Sequence, residues 1–311
     1  MRILFTGGGG AATSALWALL KDQHEVYFAD ADAEAKPANV PMARWLHIDR
    51  ADQPTFLETL LYRCEQYRID VLVPGVDEEL LRIADARTLF GCHVLLPSSW
   101  FIQCHRDKFV SMQGLMSMGI PCPQTALLGH WNGYAPRVVA SWPCIVKPRR
   151  GRGSRDIKEC GSMDEARALE SLYPEQLIVQ EYLHGQEYTV TCVADQQMNL
   201  RAVVPVKVGL KRGVTLRAET DHDEAVTALC VAIHQADPFS GIVNVQCIKA
   251  ADGTVKPFEI NPRISTTTCL AMAAGVDVLG LALSEGLALS DGLAPFRKVS
   301  LRRSWATEMV G

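Results

Sequence analysis

No stretch of this chain is apolar for long enough to cross a bilayer, and no basic segment leads into a long apolar one, so nothing reads as a membrane span or a secretory leader. Positive charge is not in surplus either. Lys and Arg number 31 against 35 Asp and Glu, a formal net charge of −4, which gives no general attraction to nucleic acid or to a membrane surface. The ten cysteines (64, 92, 104, 122, 144, 160, 192, 230, 247 and 269) include no CxxC pair. Most sit in apolar or strand-like surroundings, which argues against a zinc site and for buried, reduced thiols. GxxxxGKS/T is absent, excluding a Walker-type phosphate loop. Internal repeats and low-complexity tracts are absent too. These absences predict a soluble cytoplasmic protein with no nucleic-acid and no membrane partner.

What is present is an ordinary globular composition, 48% hydrophobic and 21% charged over 311 residues, enough for two or three subdomains with cores of their own. The first hundred residues alternate strands (Arg2–Thr6, Glu25–Ala29, Val71–Val73, His93–Leu96) with helices (Ala11–Lys21, Pro54–Tyr67, Glu78–Leu89). Such alternation specifies an open parallel sheet with covering helices. Asp107 reads as the N-cap of a helix from Lys108 to Met118. A strand at Cys144–Lys147, a capping box at Ser162–Glu165 that opens a helix to about Leu172, and a strand at Leu177–Glu181 make a shorter unit. β-rich segments (Glu187–Ala194, Leu200–Val208), a helix near Glu224–Ala236, a hairpin and helical stretches from Thr267 to Leu289 follow.

The hairpin carries the strongest chemical signal. Asn244-Val245-Gln246 precedes an Asp252-Gly253 turn and then Pro257-Phe258-Glu259-Ile260-Asn261-Pro262-Arg263. Asp-Gly is a strong turn signal, and a two-residue turn there sets Ala251 opposite Thr254, Gln246 opposite Glu259 and Asn244 opposite Asn261. Side chains alternate along a strand, so one face presents a carboxylate and amide oxygens while Val245, Cys247, Phe258 and Ile260 face the core. That hard, oxygen-only set suits magnesium shared with a phosphate-bearing substrate. Arg263, just beyond, is placed for an anionic oxygen. The competing reading is the polar face of an ordinary hairpin.

Two acidic or glycine-rich segments leave alternatives open. Gly7-Gly8-Gly9-Gly10-Ala11-Ala12 fits G-x-G-x-x-A, with Asp30 ending the second strand, the pattern of a dinucleotide site. Glycines at such a turn equally serve close packing or a bound anion. Asp77-Glu78-Glu79 suits an amine-bearing ligand, or merely complements the dipole of a helix N-terminus. The run Lys147–Arg155 places five cations within nine residues. It leaves a buried strand, lacks interleaved aromatics and belongs to an acidic chain, so a loop closing over triphosphate oxygens explains it better than RNA binding. Val179–Leu183 followed by Gly185–Tyr188 reads as strand, turn, strand, or as a connection whose backbone pairs with adenine while Glu187 accepts from ribose.

In this order the segments resemble the ATP-grasp superfamily, specifically single-unit relatives of the carbamoyl-phosphate synthase large chain. The matching stretches are the glycine-rich first βα unit, "VDEELL" (76–81), "RDKF" (106–109), "PCIVKPRRGRGSR" (143–155), "VQEYLHGQEYTV" (179–190), "IVNVQ" (242–246) and "FEINPRIS" (258–265). The resemblance implies an α/β protein of ATP-grasp architecture. A Rossmann-like parallel α/β domain (1–105) would be followed by a small α+β lid (106–180) and a larger antiparallel α+β domain holding the metal site (181–311). It implies ATP and Mg2+, or Mn2+ in its place. Lys108 and Lys147 would contact the nucleotide, Gly151, Gly153 and Ser154 would form the flap, Glu181, Tyr182 and Leu183 would meet adenine, and Glu187 the ribose. Gln246 and Glu259 would bind one magnesium, and Glu259 and Asn261 a second. Arg263, Lys207 and Arg217 would steady the acyl phosphate or the substrate carboxylate. The implied activity joins a small-molecule carboxylate to an amine through an acyl phosphate, with a homodimer as the common assembly. The alternatives are a carbamoyl-phosphate-synthase-like enzyme using bicarbonate or carbamate, a non-catalytic ATP-binding protein, and, distantly, an NAD-dependent oxidoreductase. The flap is arginine-rich where many relatives carry glycine and serine.

Overall fold

The structure, a computed structural model, describes residues 1–128, 142–151, 156–170, 172–173, 176–285 and 292–304. Five strands, β1 (Arg2–Thr6), β2 (Glu25–Asp30), β3 (Trp45–His47), β4 (Val71–Val73) and β5 (His93–Val94), form a parallel sheet in the order β3-β2-β1-β4-β5. Ile3, Leu4 and Phe5 on β1 are all buried, the unbroken apolar run expected of a strand covered on both faces. β3 escapes the sequence pattern because its Trp45-Leu46-His47 ends on an exposed polar residue, whereas the equally short β4 is apolar throughout. The expected helix at Glu78–Leu89 is a helix Asp77–Asp85 followed by a single tighter turn, Arg87–Leu89.

β1 and β4 are neighbours although β2 and β3 intervene in sequence. The chain therefore switches direction along the sheet there, and the crevice beyond the carboxyl ends of those strands is where such sheets take ligands. The glycine loop lies at that point, but the protein itself fills it. A Cβ on Gly8 would stand 2.8 Å from the Trp45 ring, and one on Gly9 2.5 Å from the Ala35 Cβ. Asp30, the expected ribose ligand of the dinucleotide reading, accepts the Gly9 N–H at 2.8 Å. Close packing accounts for these glycines. Gly8→Ala is accordingly expected to cost roughly 1–3 kcal/mol of stability through overpacking against Trp45, with ATP affinity unchanged. Thermal denaturation and a nucleotide titration on the same variant check both halves.

A second, antiparallel sheet contains β6 (Thr125–Leu127), β7 (Cys144–Pro148), β8 (Lys158–Cys160) and β9 (Leu177–Glu181), in the order β6-β9-β7-β8. One face packs Val146, Cys160, Leu177 and Val179 around Ala166 of the helix Met163–Glu170. The other face presents Thr125, Lys147 and Gln180.

The third sheet is antiparallel, with β10 (Gln186–Ala194), β11 (Leu200–Arg212), β12 (Val214–Thr220), β13 (Gly241–Lys249), β14 (Val255–Asn261) and β15 (Ser300–Arg302) in the order β14-β13-β10-β11-β12-β15. One face packs on the helices Lys108–Ser117 and Glu224–Ala236 through Met112, Val190, Val245 and Ile233. Val193, Ala202, Val204 and Ile242 on the other share a core with Ile3 and Phe5 of the parallel sheet. The span Leu210–Ala218, open in sequence between a substrate loop and a connection, is the end of a β11–β12 hairpin that turns at Gly213 (φ +69°). All ten cysteines are free thiols, eight of them buried. Among the described residues no helix is long and apolar enough to cross a membrane.

Candidate functional site

β13 and β14 set the chemistry, and their register contains two offsets that cancel. The turn is not the two-residue one expected. Ala250 N–H bonds to Thr254 O at 2.8 Å, leaving Ala251, Asp252 and Gly253 in the loop, with Gly253 at φ +88° in the left-handed region that closes three-residue hairpins. The pairing is therefore one residue out at Lys249↔Val255 and Cys247↔Pro257. A bulge follows, which restores Gln246↔Glu259 and Asn244↔Asn261. Phe258 is the extra residue. Instead of facing the core it is half-buried beneath Lys147, whose Nζ lies 5.4 Å from its ring centroid, because a bulge re-aims one side chain. Pro257, lacking an N–H, sits beside the bulge, one of the few places a sheet tolerates proline.

Lys108 and Lys147 converge on this row from separate elements. Asp107 caps the helix Lys108–Ser117 through the Val110 N–H at 3.2 Å. Lys108 on its first turn reaches Glu259 Oε1 at 3.3 Å and the Gly151 carbonyl at 2.7 Å. Lys147 on β7 donates to Gln180 Oε1 at 2.9 Å and to the Phe258 carbonyl at 3.4 Å. Burial pushes the Lys147 ammonium down from 10.5 to about 8, against the pull of Glu259 and aided by the nearby charges of Lys108 and Lys211. A cleft of about 650 Å³ opens between them, lined by Asp77, Glu78, Lys108, Lys147, Arg149, Glu259 and Asn261 among others. That volume suits a small-molecule ligand. A second depression, at Met1, Arg2 and Lys21, lies at the amino ends of the parallel strands, where such sheets do not bind ligands.

The described cations of Lys147–Arg155, which are Lys147, Arg149 and Arg150, do not act as one group, and Arg152 and Arg155 lie outside the described residues. Arg149 Nε contacts both Asp107 oxygens, at 2.7 and 2.8 Å, and Arg150 reaches Asp107 at 3.3 Å. Burial opposes ionisation of Asp107, yet Arg149 and the Val110 N–H hold its carboxyl below the ordinary range. Two arginines expected over a triphosphate thus secure the cap of the Lys108 helix. Gly151 is exposed, at φ +123°. Gly153 and Ser154 lie outside the described residues.

Arg263 is paired with Asp77 through Nε and Nη2, the latter at 3.1 Å. Burial alone would lower the pKa of this guanidinium, but Asp77 raises it. Of the two readings of Asp77-Glu78-Glu79, neither anticipates this contact. Glu181 is held by Lys256 at 2.9 Å and accepts the Gln124 N–H at 3.1 Å. Tyr182 lies against His184 with ring centroids 4.6 Å apart and the rings tilted by 49°, and Leu183 is half-buried. Glu187 Oε1 accepts from Lys211 Nζ at 2.6 Å, and Lys211 also reaches Gln246 Oε1 at 3.3 Å.

Lys207 and Arg217 do not join the site. Lys207 pairs with Tyr188 and Glu219, so it shares the face of the Tyr188 core rather than that of Thr189 and Gln246. Arg217, two residues from Glu219 on β12, is exposed and pairs with Arg302 at the sheet edge. Lys211 takes the place expected of them. Strict alternation would set it on the face of Lys207, but register shifts between Val208 and Lys211 turn the strand over. No periodic signal announces that residue. Gln180 also escaped the sequence reading, although its alternation with Ile178 on β9 marks it as sharing the face of Lys147.

A family model described as ATP-grasp in the biosynthetic pathway with Ter operon matches residues 173–308. A D-alanine–D-alanine ligase of Stutzerimonas stutzeri is 25% identical over 203 residues, covering 57% of this chain and 63% of the ligase. The chain spans less than two thirds of the length of the curated relatives it matches. Biotin carboxylase from Campylobacter jejuni, in complex with β-γ-ATP, superposes with a TM-score of 0.70 at 15% identity over 92% of this chain and 72% of its own. The chain has the ATP-grasp fold, and residues 173–308 resemble that family in sequence. An L-amino acid ligase from Bacillus licheniformis shares the fold at a TM-score of 0.68 and 14% identity, over 90% of this chain and 72% of the ligase.

On this fold Gln246, Glu259 and Asn261 supply one carboxylate and two amide oxygens. No group of three or more His, Cys, Asp or Glu side chains placed to hold a metal occurs among the described residues. One carboxylate is too little to hold a bare divalent ion, but it fits magnesium that arrives with phosphates completing its oxygen shell. Ammonium groups already stand at two of these donors, Lys108 at Glu259 and Lys211 at Gln246, which marks both as cation-attracting positions.

Proposed function

We propose that this ATP-grasp chain is an ATP- and Mg2+-dependent ligase that converts a small-molecule carboxylate to an acyl phosphate and couples it to an amine. The observation that carries this reading is the convergence of Lys108 and Lys147 on Glu259 in one cleft with Asn261, and with Gln246 across the strand pair from Glu259. Cations and a single carboxylate in that arrangement suit the phosphates of a metal-bound nucleotide. Magnesium at Gln246, Glu259 and Asn261 would supply neutralisation of phosphate charge.

Lys108 and Lys147 hold phosphate oxygens, and Gly151, Gly153 and Ser154 close over them. The backbone of Glu181–Leu183 meets adenine. Glu187 accepts from the ribose, sharing its carboxylate with Lys211. The substrate carboxylate oxygen attacks the γ-phosphorus as ADP leaves. The amine then attacks the acyl carbon, phosphate departs and the nitrogen loses a proton. Arg263 steadies the anionic oxygens by exchanging Asp77 for the substrate. No protein nucleophile is needed, and rate enhancement rests on positioning and electrostatics. A domain division at 1–105, 106–180 and 181–311, a homodimer, and work in a reducing cytoplasm accompany this reading; the ten free thiols support the last.

The test is phosphate release from Mg-ATP across a matrix of amino acids, other carboxylates, bicarbonate and amines. Release restricted to an acid–amine pair is the expected result. Release with bicarbonate alone, or ATP binding without turnover under every mixture, would overturn it.

A further inference from the structure

Lys147 is an unusual phosphate ligand, because it is 3% exposed and a buried ammonium points wherever its neighbours accept. Its principal acceptor is Gln180 Oε1 at 2.9 Å. An amide, unlike a carboxylate, has a wrong end, and reversing it would aim an NH2 group at the ammonium. Thr125 decides which way the amide faces. Its hydroxyl has one proton, which is donated to the Pro123 carbonyl at 2.9 Å. The Thr125 oxygen is therefore left as an acceptor, and Gln180 Nε2 donates to it at 2.9 Å. With Nε2 committed to Thr125, Oε1 must face Lys147. Gln180 and Thr125 are 2% and 1% exposed, so water does not compete for either.

The strands bring these groups together in register. Thr125 on β6 pairs with Gln180 on β9, and Gln180 lies diagonally opposite Lys147 on the adjacent strand β7. All three stand on the face of this sheet opposite its apolar core. A second Lys147 proton goes to the Phe258 carbonyl, which the β14 bulge turns toward it. One N–H then remains for an acceptor in the cleft.

We propose that Gln180 and Thr125 are positioning residues. They fix the direction of the Lys147 ammonium, and through it the grip on nucleotide phosphate. The inference rests on the nucleotide reading above and adds a dependence on two buried, uncharged side chains. Neither touches the cleft.

The experiment measures the Kd of Mg-ATP by calorimetry on the full chain and on variants. Gln180→Met is expected to raise Kd about tenfold, and Thr125→Val about threefold. In a Lys147→Met background Gln180→Met should change Kd by less than twofold, since its target is gone. Gln180→Glu supplies an acceptor at both ends, so Thr125→Val in that background should cost nothing further, a rescue that a purely structural role for Thr125 does not produce. Equal losses from Gln180→Met with and without Lys147, or a full Thr125→Val effect in the Gln180→Glu background, would overturn the proposal. So would an unchanged Kd in Gln180→Met beside a tightly binding parent chain. Failure of the parent chain itself to bind ATP would overturn the function reading, and this inference with it.

Discussion

Glu259→Gln is expected to remove ATP-dependent turnover while leaving the fold in place. Glu259 is the one carboxylate in a row whose other donors are amides, and it balances Lys108 at 3.3 Å with Lys147 close by. The carboxamide has the same shape, so the β13–β14 register and the neighbouring Val245 and Ile260 packing are not disturbed. What is lost is the negative charge that attracts a phosphate-bound cation and keeps the two lysines from repelling each other. Losing one electrostatic contact of this kind costs on the order of 10²–10³ in kcat, and a charged one at the centre of the site should fall at the upper end. Phosphate release and thermal denaturation on the same preparation test the claim. An active Glu259→Gln enzyme would sink the assignment of the row, and so would loss of activity that merely tracks unfolding.

Lys147 carries the second large effect, and it has opposite signs for binding and for stability. Its ammonium titrates at about 8 in the free protein, lowered from 10.5 first of all by burial. A phosphate ligand favours the charged form and raises that pKa. Below pH 8 the lysine is already charged and ATP affinity should be flat. Above pH 8 binding must take up a proton, so Kd should rise by up to about tenfold per pH unit. Lys147→Met should abolish that slope and weaken ATP binding roughly 100-fold at pH 7, the scale of a charge-assisted bond to a buried phosphate. Stability runs the other way. The folded pKa lies below the unfolded one, so burial of the charge costs stability below pH 8, by roughly 3 kcal/mol. The cost fades as pH climbs from 8 toward 10.5. Unsatisfied acceptors at Gln180 and Phe258 offset part of it, about 1–2 kcal/mol. The nucleotide-free Lys147→Met chain should therefore be no less stable than its parent at pH 7, with any advantage gone by pH 10. A marked drop in Tm at pH 7, or a pH-independent Kd in the parent, would contradict the burial argument.

Several elements were legible before any coordinate. Alternating apolar strands and amphipathic helices declare the parallel sheet, Asp107 declares a helix N-terminus, and "FEINPR" beside "IVNVQ" declares two strands with polar residues in step. The hairpin shows how a local rule reaches a sound result through an incorrect step. The turn holds three residues rather than two, and the bulge at Phe258 cancels the error before Gln246 and Glu259 meet. Phe258 is where the alternation rule then fails, and Lys211, beyond the shifts in β11, is where it fails again. The resemblance implies Lys207 and Arg217 at the site, but the pairing of β11 and β12 keeps both away from Gln246.

The sequence by itself determined the kinds of group available and the faces they occupy over short spans, because side-chain direction in a strand or helix repeats every few residues and depends on nearby backbone alone. Only the tertiary structure decided which charge meets which. Arg263 finds Asp77 across 186 positions of chain, Lys147 finds the Phe258 carbonyl across 111, and Arg149, expected over a triphosphate, finds Asp107 across 42. A buried charge must be matched wherever the packed elements happen to bring a partner, and that partner is chosen by sheet order and bulges, which no local periodicity records.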